Sequence, residues 1–325
     1  MIKLPTLRHG GIMPNYQCTA ACRHCLYACD PDWEGYMTGE KMRETCETLR
    51  RGGCRSVHIG GGEPFMDFDG LCKLVEMCGE YGISVEYVET NAFFAADEKK
   101  AAGYLRDLSK AGVNTLCISL DPFHAEFVPY VLPLQLAELC HREGFGFFLW
   151  RQQFLPILKK ADPLKAHNRA ALEAVLGKDY LWETTKAYGL RFGGRAITLE
   201  NEYVPKQPWE DIKRKAANLR PCTNLTSTDH FHVDMYNRFI PPGCTGIALP
   251  LDAFINGLPP GKYPGFEAQY TGGPAVLFAL AEEKGFKPDA AGYPSVCTAC
   301  FFVRGYLSGL DGFGEYDRLH YKHSM

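Results

Sequence analysis

Three cysteines stand close together in the segment Gln17-Cys18-Thr19-Ala20-Ala21-Cys22-Arg23-His24-Cys25. A loop with three thiols this close can wrap one side of a cube of iron and sulfide. Iron–sulfur clusters are usually held by four thiolates, so three leave one iron without a protein ligand. The alternative is part of a zinc site, although zinc ligands normally occur as paired C-x-x-C units. The triplet therefore favours a cluster with one open iron.

The composition is that of a globular protein without an unusual charge. The chain has 325 residues, 46% of them apolar, a net charge of −3 and a pI near 6.4. This length allows one large domain, or one domain and an appendage. The charge gives no basis for binding nucleic acid or a membrane surface. No apolar run is long enough for a membrane span, and the first residues lack the apolar core of a signal peptide. We therefore expect a cytoplasmic protein.

Cysteine is unusually frequent, with 14 residues. In a cytoplasmic protein this number argues against disulfides and for metal ligation. Seven of the cysteines fall into two sets that could bind clusters. For most of the others, burial as a small apolar side chain is the expected state; they are Cys29, Cys46, Cys54, Cys72, Cys78, Cys117 and Cys140.

Hydrophobic patterning predicts alternating strands and helices over the first two thirds of the chain. Strands are predicted at residues 12–16, 56–59, 83–88, 113–120, 145–150 and 190–192. Helices are predicted at residues 38–51, 71–81, 97–110, 133–142 and 168–188. This rhythm is typical of parallel βα units. The nearly continuous apolar run at 145–150 predicts a strand buried on both faces.

Proline and glycine become frequent after residue 200, and the βα rhythm stops there. We therefore predict two domains, residues 1–205 and residues 206–325. In parallel barrels the functional loops follow the carboxyl ends of the strands. The cysteine loop, which follows the first predicted strand, has that position.

A second motif, Gly60-Gly61-Gly62-Glu63-Pro64, directly follows the second predicted strand. Glycines allow the backbone to approach a ligand closely, and a glutamate can accept a charge-assisted hydrogen bond from an amine. Together with the cysteine triplet, this motif resembles the radical SAM superfamily over roughly residues 10–200. The remainder resembles, less specifically, the SPASM and twitch subgroup. The resemblance implies a partial (β/α)6 TIM-like barrel, followed by a small irregular cysteine-rich α+β domain with an auxiliary cluster.

The resemblance also implies a chemistry and its cofactors. Cys18, Cys22 and Cys25 would hold a 4Fe–4S cluster whose open iron binds the amino and carboxylate groups of S-adenosylmethionine. The reduced cluster passes one electron to the sulfonium, and the resulting 5′-deoxyadenosyl radical abstracts a hydrogen atom from substrate. The electron donor would be a flavodoxin or a ferredoxin.

Residues matching the family positions would bind S-adenosylmethionine. The Gly-Gly-Glu-Pro motif holds the methionyl amino group, Arg151 would face the methionyl carboxylate, and Ser119 would lie near the ribose or carboxylate. The alternatives are a plain turn, a solvated arginine and turn-capping polar residues. The predicted cofactor residues are His24, Gly61, Gly62, Glu63, Pro64, Asn91, Ser119 and Arg151. His24 stands where the family usually has an aromatic residue that packs on adenine.

The catalytic residues are not identified by the sequence. Cys29 could present a thiol to the substrate or be inert. His124, which follows the fourth predicted strand, could face the substrate. An epimerase would need a hydrogen donor, for which Cys29 and Cys117 are the candidates.

The second cysteine set consists of Cys222, Cys244, Cys297 and Cys300. Four thiols would complete a cluster and leave no open iron, which implies electron transfer or a structural role. Zinc is the alternative, since four cysteines suit it equally well. The subgroup resemblance implies an auxiliary 4Fe–4S cluster in this position.

The leading hypothesis is therefore a radical SAM oxidoreductase or maturase acting on a peptide or a small molecule. The auxiliary cluster would take up the substrate electron or relay electrons inward, and the net reaction would be an oxidation or a modification. A peptide epimerase and a cross-linking maturase are variants of this hypothesis. The alternative from another class is a non-catalytic iron–sulfur or zinc scaffold.

Overall fold

A single mixed β-sheet with helices packed against it forms the framework of the protein. The computed structural model describes residues 1–324, except the side chain of Thr223. The sheet has eight strands in the order β5-β4-β3-β2-β1-β6-β7-β8. The strands are β1 His9–Met13, β2 Ser56–Ile59, β3 Ser84–Thr90, β4 Thr115–Ser119, β5 Gly146–Trp150, β6 Phe231–Asp234, β7 Arg238–Ile240 and β8 Leu249–Pro250.

Fourteen helices accompany the sheet in the described residues. The first eight are α1 Gly39–Arg51, α2 Phe68–Glu80, α3 Glu98–Ala111, α4 Pro122–Ala125, α5 Val131–Glu143, α6 Leu155–Leu158, α7 Arg169–Leu176 and α8 Tyr180–Tyr188. The others are α9 Ala196–Tyr203, α10 Trp209–Ala217, α11 Leu251–Asn256, α12 Pro264–Glu283, α13 Val296–Leu307 and α14 Arg318–Ser324.

Local signals set the ends of the early helices. The Thr38 side chain accepts a hydrogen bond from the backbone N–H of Lys41 and caps α1. Asp97 caps α3 in the same way, and Gly112 ends that helix with a φ of 118°, where glycine carries no steric penalty. These caps confirm the predicted starts of both helices.

The parallel strands β1 to β5 place their carboxyl ends along one edge of the sheet. β1 pairs in parallel with both β2 and β6, while β7 and β8 add antiparallel strands beyond β6. β5 and β8 are the two edges, so the sheet does not close. The predicted partial barrel in an α/β fold is confirmed.

The sixth predicted strand is wrong. Residues 190–192, which the structure describes, form no strand, and β6 at Phe231–Asp234 takes the sixth parallel place beside β1. The signal at 190–192 was only three residues long, too short to outweigh the turns around it. β6 lies beyond the predicted domain boundary near residue 205, and the boundary itself stays a prediction.

Two further predictions need correction. The helix predicted at 168–188 is two helices, α7 and α8, because Gly177 interrupts it with a φ of 100°. The run at 145–150 forms strand β5, but its side chains are not buried on both faces. Phe147 and Phe148 are each 37% exposed because β5 is an edge strand.

In the core, β1 from the beginning of the chain packs beside β6 from its last third. Gly10 of β1 lies beside Phe231 of β6 in the register of the sheet, and Phe231 is fully buried. A Cβ atom on Gly10 would lie 2.6 Å from the Phe231 ring. The ring occupies the space that a side chain at residue 10 would need.

Gly10→Ala should therefore destabilise the protein by about 1–3 kcal/mol, because a buried ring has to shift to accommodate the new methyl group. Chemical denaturation measures the change. Gly39→Ala is the matched control, since a Cβ atom there meets nothing within 4 Å. Equal stability of the two variants would contradict the packing described for β1 and β6.

Candidate functional site

A cavity of about 520 Å³ opens at the carboxyl ends of the parallel strands. It collects residues from eight separate segments of the chain, five of which lie at or directly after the ends of β1 to β5. Of the residues predicted from sequence, it is lined by Cys18, Cys22, His24, Cys25, Cys29, Gly61, Gly62, Glu63, Asn91, Cys117, Ser119, His124 and Arg151. Their assembly at one place fits the prediction that these loops form the functional site.

Pro64 and the second cysteine set are outside the lining of this cavity. Pro64 is buried and begins a short 3₁₀ helix, and its carbonyl accepts a hydrogen bond from the Tyr36 hydroxyl at 3.1 Å. Pro242 and Gly243 do line the cavity, and Cys244 follows them directly. The second set therefore lies next to the cavity.

The cysteine loop is held by backbone hydrogen bonds at both of its ends. The N–H of Cys18 donates to the carbonyl of Asp30 at 3.0 Å, and the N–H of Cys25 donates to the carbonyl of Cys22 at 3.1 Å. Two donors point at thiol sulfurs, from Asn91 Nδ2 to Cys18 Sγ at 3.7 Å and from Cys29 N to Cys25 Sγ at 3.3 Å. Such donors stabilise thiolates, the form that binds metals.

The three thiols differ in their electrostatics. Burial raises the pKa of Cys18 and of Cys22. The hydrogen bond with Cys29 lowers the pKa of Cys25 to about 6. Cys25 is thus the thiol that ionises most easily, and the others need a positive partner to release their protons.

The cysteines of the described residues do not gather as closely as three ligands of one zinc ion. At a Zn–S distance of about 2.3 Å, sulfurs in a tetrahedral site lie about 3.8 Å apart. Within residues 1–324, no cysteine of either set belongs to a group of three ligand atoms within 4.8 Å of one another. Three soft thiolate donors at wider spacing fit an iron–sulfur cluster better than one ion.

The Gly60–Pro64 segment lies directly against the cysteine loop. The N–H of Gly62 donates to the carbonyl of Asn15 at 3.1 Å, and the N–H of Glu63 donates to the carbonyl of Gln17 at 2.8 Å. A Cβ atom on Gly62 would lie 2.1 Å from the carbonyl oxygen of Gln17. This position therefore requires glycine for the close approach of two backbones, and not only for a turn.

Glu63 is a buried carboxylate at the end of β2, 1% exposed. It accepts hydrogen bonds from the Thr90 hydroxyl at 3.1 Å and from the N–H of Asn91 at 2.8 Å. Burial raises the pKa of Glu63 to about 7, while these hydrogen bonds lower it. A cation bound against Glu63 would favour its ionised form. The sequence does not show that Thr90 donates to Glu63, because only the pairing of β2 with β3 brings these two residues together.

His24, Asp121 and His124 form a second polar group beside the cysteines. His124 Nδ1 lies 2.8 Å from Asp121 Oδ2, and this pair holds the pKa of Asp121 at about 2. The His24 ring stacks on Phe123 at a centroid distance of 4.6 Å, and its buried Nδ1 has no hydrogen-bond partner. Burial lowers the pKa of His24 to about 3, so its ring is neutral.

Arg151 reaches the cavity from the end of β5. Its φ of 67° is unusual for a residue other than glycine, and its guanidinium lies 4.7 Å from the Trp150 ring and 4.3 Å from the Tyr188 ring. Its buried Nε has no hydrogen-bond partner. A positive group fixed between two aromatic rings with a free donor is suited to binding an anion.

Arg195 binds backbone carbonyls of the cysteine loop, a role that the sequence analysis did not predict. Its Nε donates to the carbonyl of Cys22 at 3.1 Å, and its guanidinium also binds the carbonyl of Cys29 and the Asp30 carboxylate. Its backbone N–H donates to the carbonyl of Cys25. In the sequence, the Gly-Arg pair at 194–195 does not by itself indicate what this arginine binds.

The second cysteine set comes together from three places in the chain. Cys297 and Cys300 lie on α13, while Cys222 precedes a short 3₁₀ helix and Cys244 follows β7. Burial, with smaller contributions from each of the other three thiols, raises the pKa of Cys300 to about 12. The buried guanidinium of Arg304 acts in the opposite direction. Gln269 Nε2 donates to Cys300 Sγ at 3.2 Å.

None of the helices in residues 1–324 combines the length and the apolar content needed to cross a bilayer.

Part of the chain is similar to known proteins. Residues 12–144 match the family described as the radical SAM superfamily. YydG of Bacillus subtilis (strain 168), named for peptide biosynthesis, is 31% identical over 113 residues. That match spans 34% of this chain and 35% of YydG, about a third of the relative's length.

Two of the similar solved structures cover more of the chain, but their structural similarity to it is weak. SuiB of Streptococcus suis, bound to S-adenosylmethionine, has a TM-score of 0.43 at 14% identity, over 91% of this chain and 77% of SuiB. BtrN, in complex with AdoMet and 2-DOIA, has a TM-score of 0.40 at 15% identity, over 74% of each chain. At these values nothing about the activity of this chain follows from them.

The family match contains the features that the structure brings together. It includes the cysteine triplet, the glycine-rich segment that contacts it, and the strand ends that carry Asn91 and Ser119. Residues 12–144, about two fifths of the chain, are therefore similar to the radical SAM superfamily.

Proposed function

We propose that this protein is a radical SAM enzyme that abstracts a hydrogen atom from a peptide substrate, with an auxiliary iron–sulfur cluster in electron transfer. One observation carries the proposal. The backbone at the start of the cysteine loop accepts hydrogen bonds from the Gly60–Pro64 segment, and the three thiols line the same cavity as Gly61, Gly62 and Glu63. The volume of about 520 Å³ is in the range of small-molecule and cofactor sites, roughly 300–1,000 Å³.

Cys18, Cys22 and Cys25 would hold the first 4Fe–4S cluster and leave one iron for S-adenosylmethionine. When both are bound, they supply one-electron cleavage of the sulfonium and hydrogen-atom abstraction. The residues of this chain do the positioning. Glu63 would accept hydrogen bonds from the methionyl ammonium, and Arg151 would offer its free Nε to the carboxylate.

Two observations support a peptide as the substrate. YydG, which is 31% identical over 113 residues, is named for peptide biosynthesis. In addition, β5 is an open edge whose backbone groups can pair with an extended chain, and its last residue, Trp150, lines the cavity. Trp150 is 42% exposed, so a bound peptide would cover an aromatic side chain that is otherwise in water.

The second cysteine set would hold an auxiliary 4Fe–4S cluster. Its thiols are close enough to raise each other's pKa, and Arg304 lies among them. A cluster relieves this repulsion because it binds the thiolates directly. The set borders the cavity through Pro242 and Gly243, which would let it exchange electrons with the substrate. A flavodoxin or a ferredoxin would supply the reducing electron.

Cys22→Ala should abolish reductive cleavage of S-adenosylmethionine, because it removes one of three cluster ligands. The measurement is the yield of 5′-deoxyadenosine after anaerobic incubation with reductant. Cys72→Ala is the control, since Cys72 lies on α2 outside the cavity, and it should retain the activity. Absence of 5′-deoxyadenosine from the wild-type protein would favour a non-catalytic scaffold.

Binding of S-adenosylmethionine should become tighter as the pH rises to about 7. The buried Glu63 carboxyl has a pKa of about 7, so below that pH a bound ammonium must first displace its proton. The dissociation constant should therefore fall about tenfold per pH unit below 7 and then level off. Equilibrium binding under anaerobic conditions measures it.

Glu63→Gln should weaken this binding about tenfold to a hundredfold above pH 7 and remove the pH dependence, because a neutral amide cannot offset the ammonium charge. Glu138→Gln, at an exposed position of α5, is the control and should behave like wild type. An unchanged pH profile in Glu63→Gln would contradict the role of Glu63.

The two-cluster assignment predicts about eight irons per chain, and about four after the joint change of Cys297→Ala and Cys300→Ala. Elemental analysis of the anaerobically purified protein measures the iron. The double variant should still cleave S-adenosylmethionine, because its first cluster is intact, and Cys140→Ala on α5 is the control. About four irons with about one zinc in the wild type would refute the auxiliary cluster.

A further inference from the structure

Four histidines gather on three neighbouring strands at one side of the cavity. His9 begins β1, His58 lies on β2, and His232 lies on β6, two residues after His230. Strand β1 lies between β2 and β6, so these side chains meet across it. His230 and His232 line the cavity, while His58 is fully buried.

Gly11 makes this gathering possible. In the sheet register Gly11 lies opposite both His58 and His232. A Cβ atom on Gly11 would lie 2.4 Å from His58 Nε2 and 2.5 Å from a carbon of the His232 ring. The two imidazoles therefore lean over the glycine, and their Nε2 atoms are 3.2 Å apart.

The donor atoms of His9, His58 and His230 converge on a small volume. One ring nitrogen from each of the three lies within 4.8 Å of the other two. Their rings are 5.2 to 5.7 Å apart between centroids. Three imidazole nitrogens are therefore close enough together to bind the same ion.

Hydrogen bonds within the protein leave this group incompletely satisfied. The buried Nδ1 of His58 has no hydrogen-bond partner. Two carboxylates stand further off, with Glu86 at 3.5 Å from His9 Nδ1 and Glu89 at 3.8 Å from His58 Nε2. An unpaired buried polar atom is costly, and a bound cation near two carboxylates would remove that cost.

We propose that His9, His58 and His230 bind a divalent transition metal ion of the zinc type. Imidazole nitrogen is a preferred ligand for this class of metal. His232, whose Nδ1 is 2.8 Å from the Tyr27 hydroxyl, supports the group from the cavity side. Three protein ligands leave a fourth coordination position for water or for an oxygen of a bound molecule. This proposal does not depend on the proposed radical chemistry.

Zinc is the probe for the test. The full-length protein with its iron–sulfur clusters is incubated anaerobically with zinc, freed of excess metal and examined by elemental analysis and zinc X-ray absorption. Ligand distances of about 2.0–2.1 Å indicate histidine, and about 2.3 Å indicates cysteine. We expect about one zinc per chain with a nitrogen ligand shell.

The variants His9→Ala and His230→Ala should each weaken zinc binding at least tenfold, because each removes a ligand. Both residues are at least partly exposed, so neither change opens a cavity in the core. His141→Ala, at an exposed position of α5, is the matched control and should bind like wild type. Iron content and circular dichroism of each variant verify the fold. Failure to retain zinc, or a sulfur shell unaffected by both variants, would overturn the proposal.

Discussion

The contact between the backbone at Gly62 and the backbone at Gln17 is the constraint on which the site depends. A Cβ atom at residue 62 would lie only 2.1 Å from the carbonyl oxygen of Gln17, so only glycine fits at this position. The hydrogen bonds donated by Gly62 and Glu63 then fix the loop relative to β2. Because the cysteines begin at the next residue, this contact sets where the first thiol lies.

Polar side chains connect this contact to the end of the neighbouring strand β3. Glu63 receives hydrogen bonds from Thr90 and Asn91 at the end of β3, and Asn91 reaches Cys18 Sγ. Arg195 closes the other side by binding carbonyls of the cysteine loop. The loop is thus held from two directions by the protein itself, which is the preorganisation that a cofactor site requires.

The sequence predicts those parts of the structure that local patterns determine. The starts of α1 and α3, the strands before the two motifs and the gathering of their residues at one cavity were all predictable. The exposure of β5 was not, because an apolar run does not reveal which faces of a strand have neighbours. Arg195 was also missed, since it lies 173 residues from Cys22, and only the folded chain shows that contact.

The thiols of the cysteine loop and the proposed histidine site occupy different parts of the sheet. The thiols follow β1 at its carboxyl end, whereas His9 begins β1, His58 lies on β2 and His230 directly precedes β6. Thiolates favour iron–sulfur clusters, whereas imidazoles favour single ions such as zinc. Spacing strengthens the division, because the histidine nitrogens converge within 4.8 Å and no three described cysteine sulfurs do. Ligand type and spacing together would therefore direct clusters to the thiols and a single ion to the histidines, even where both metals are present.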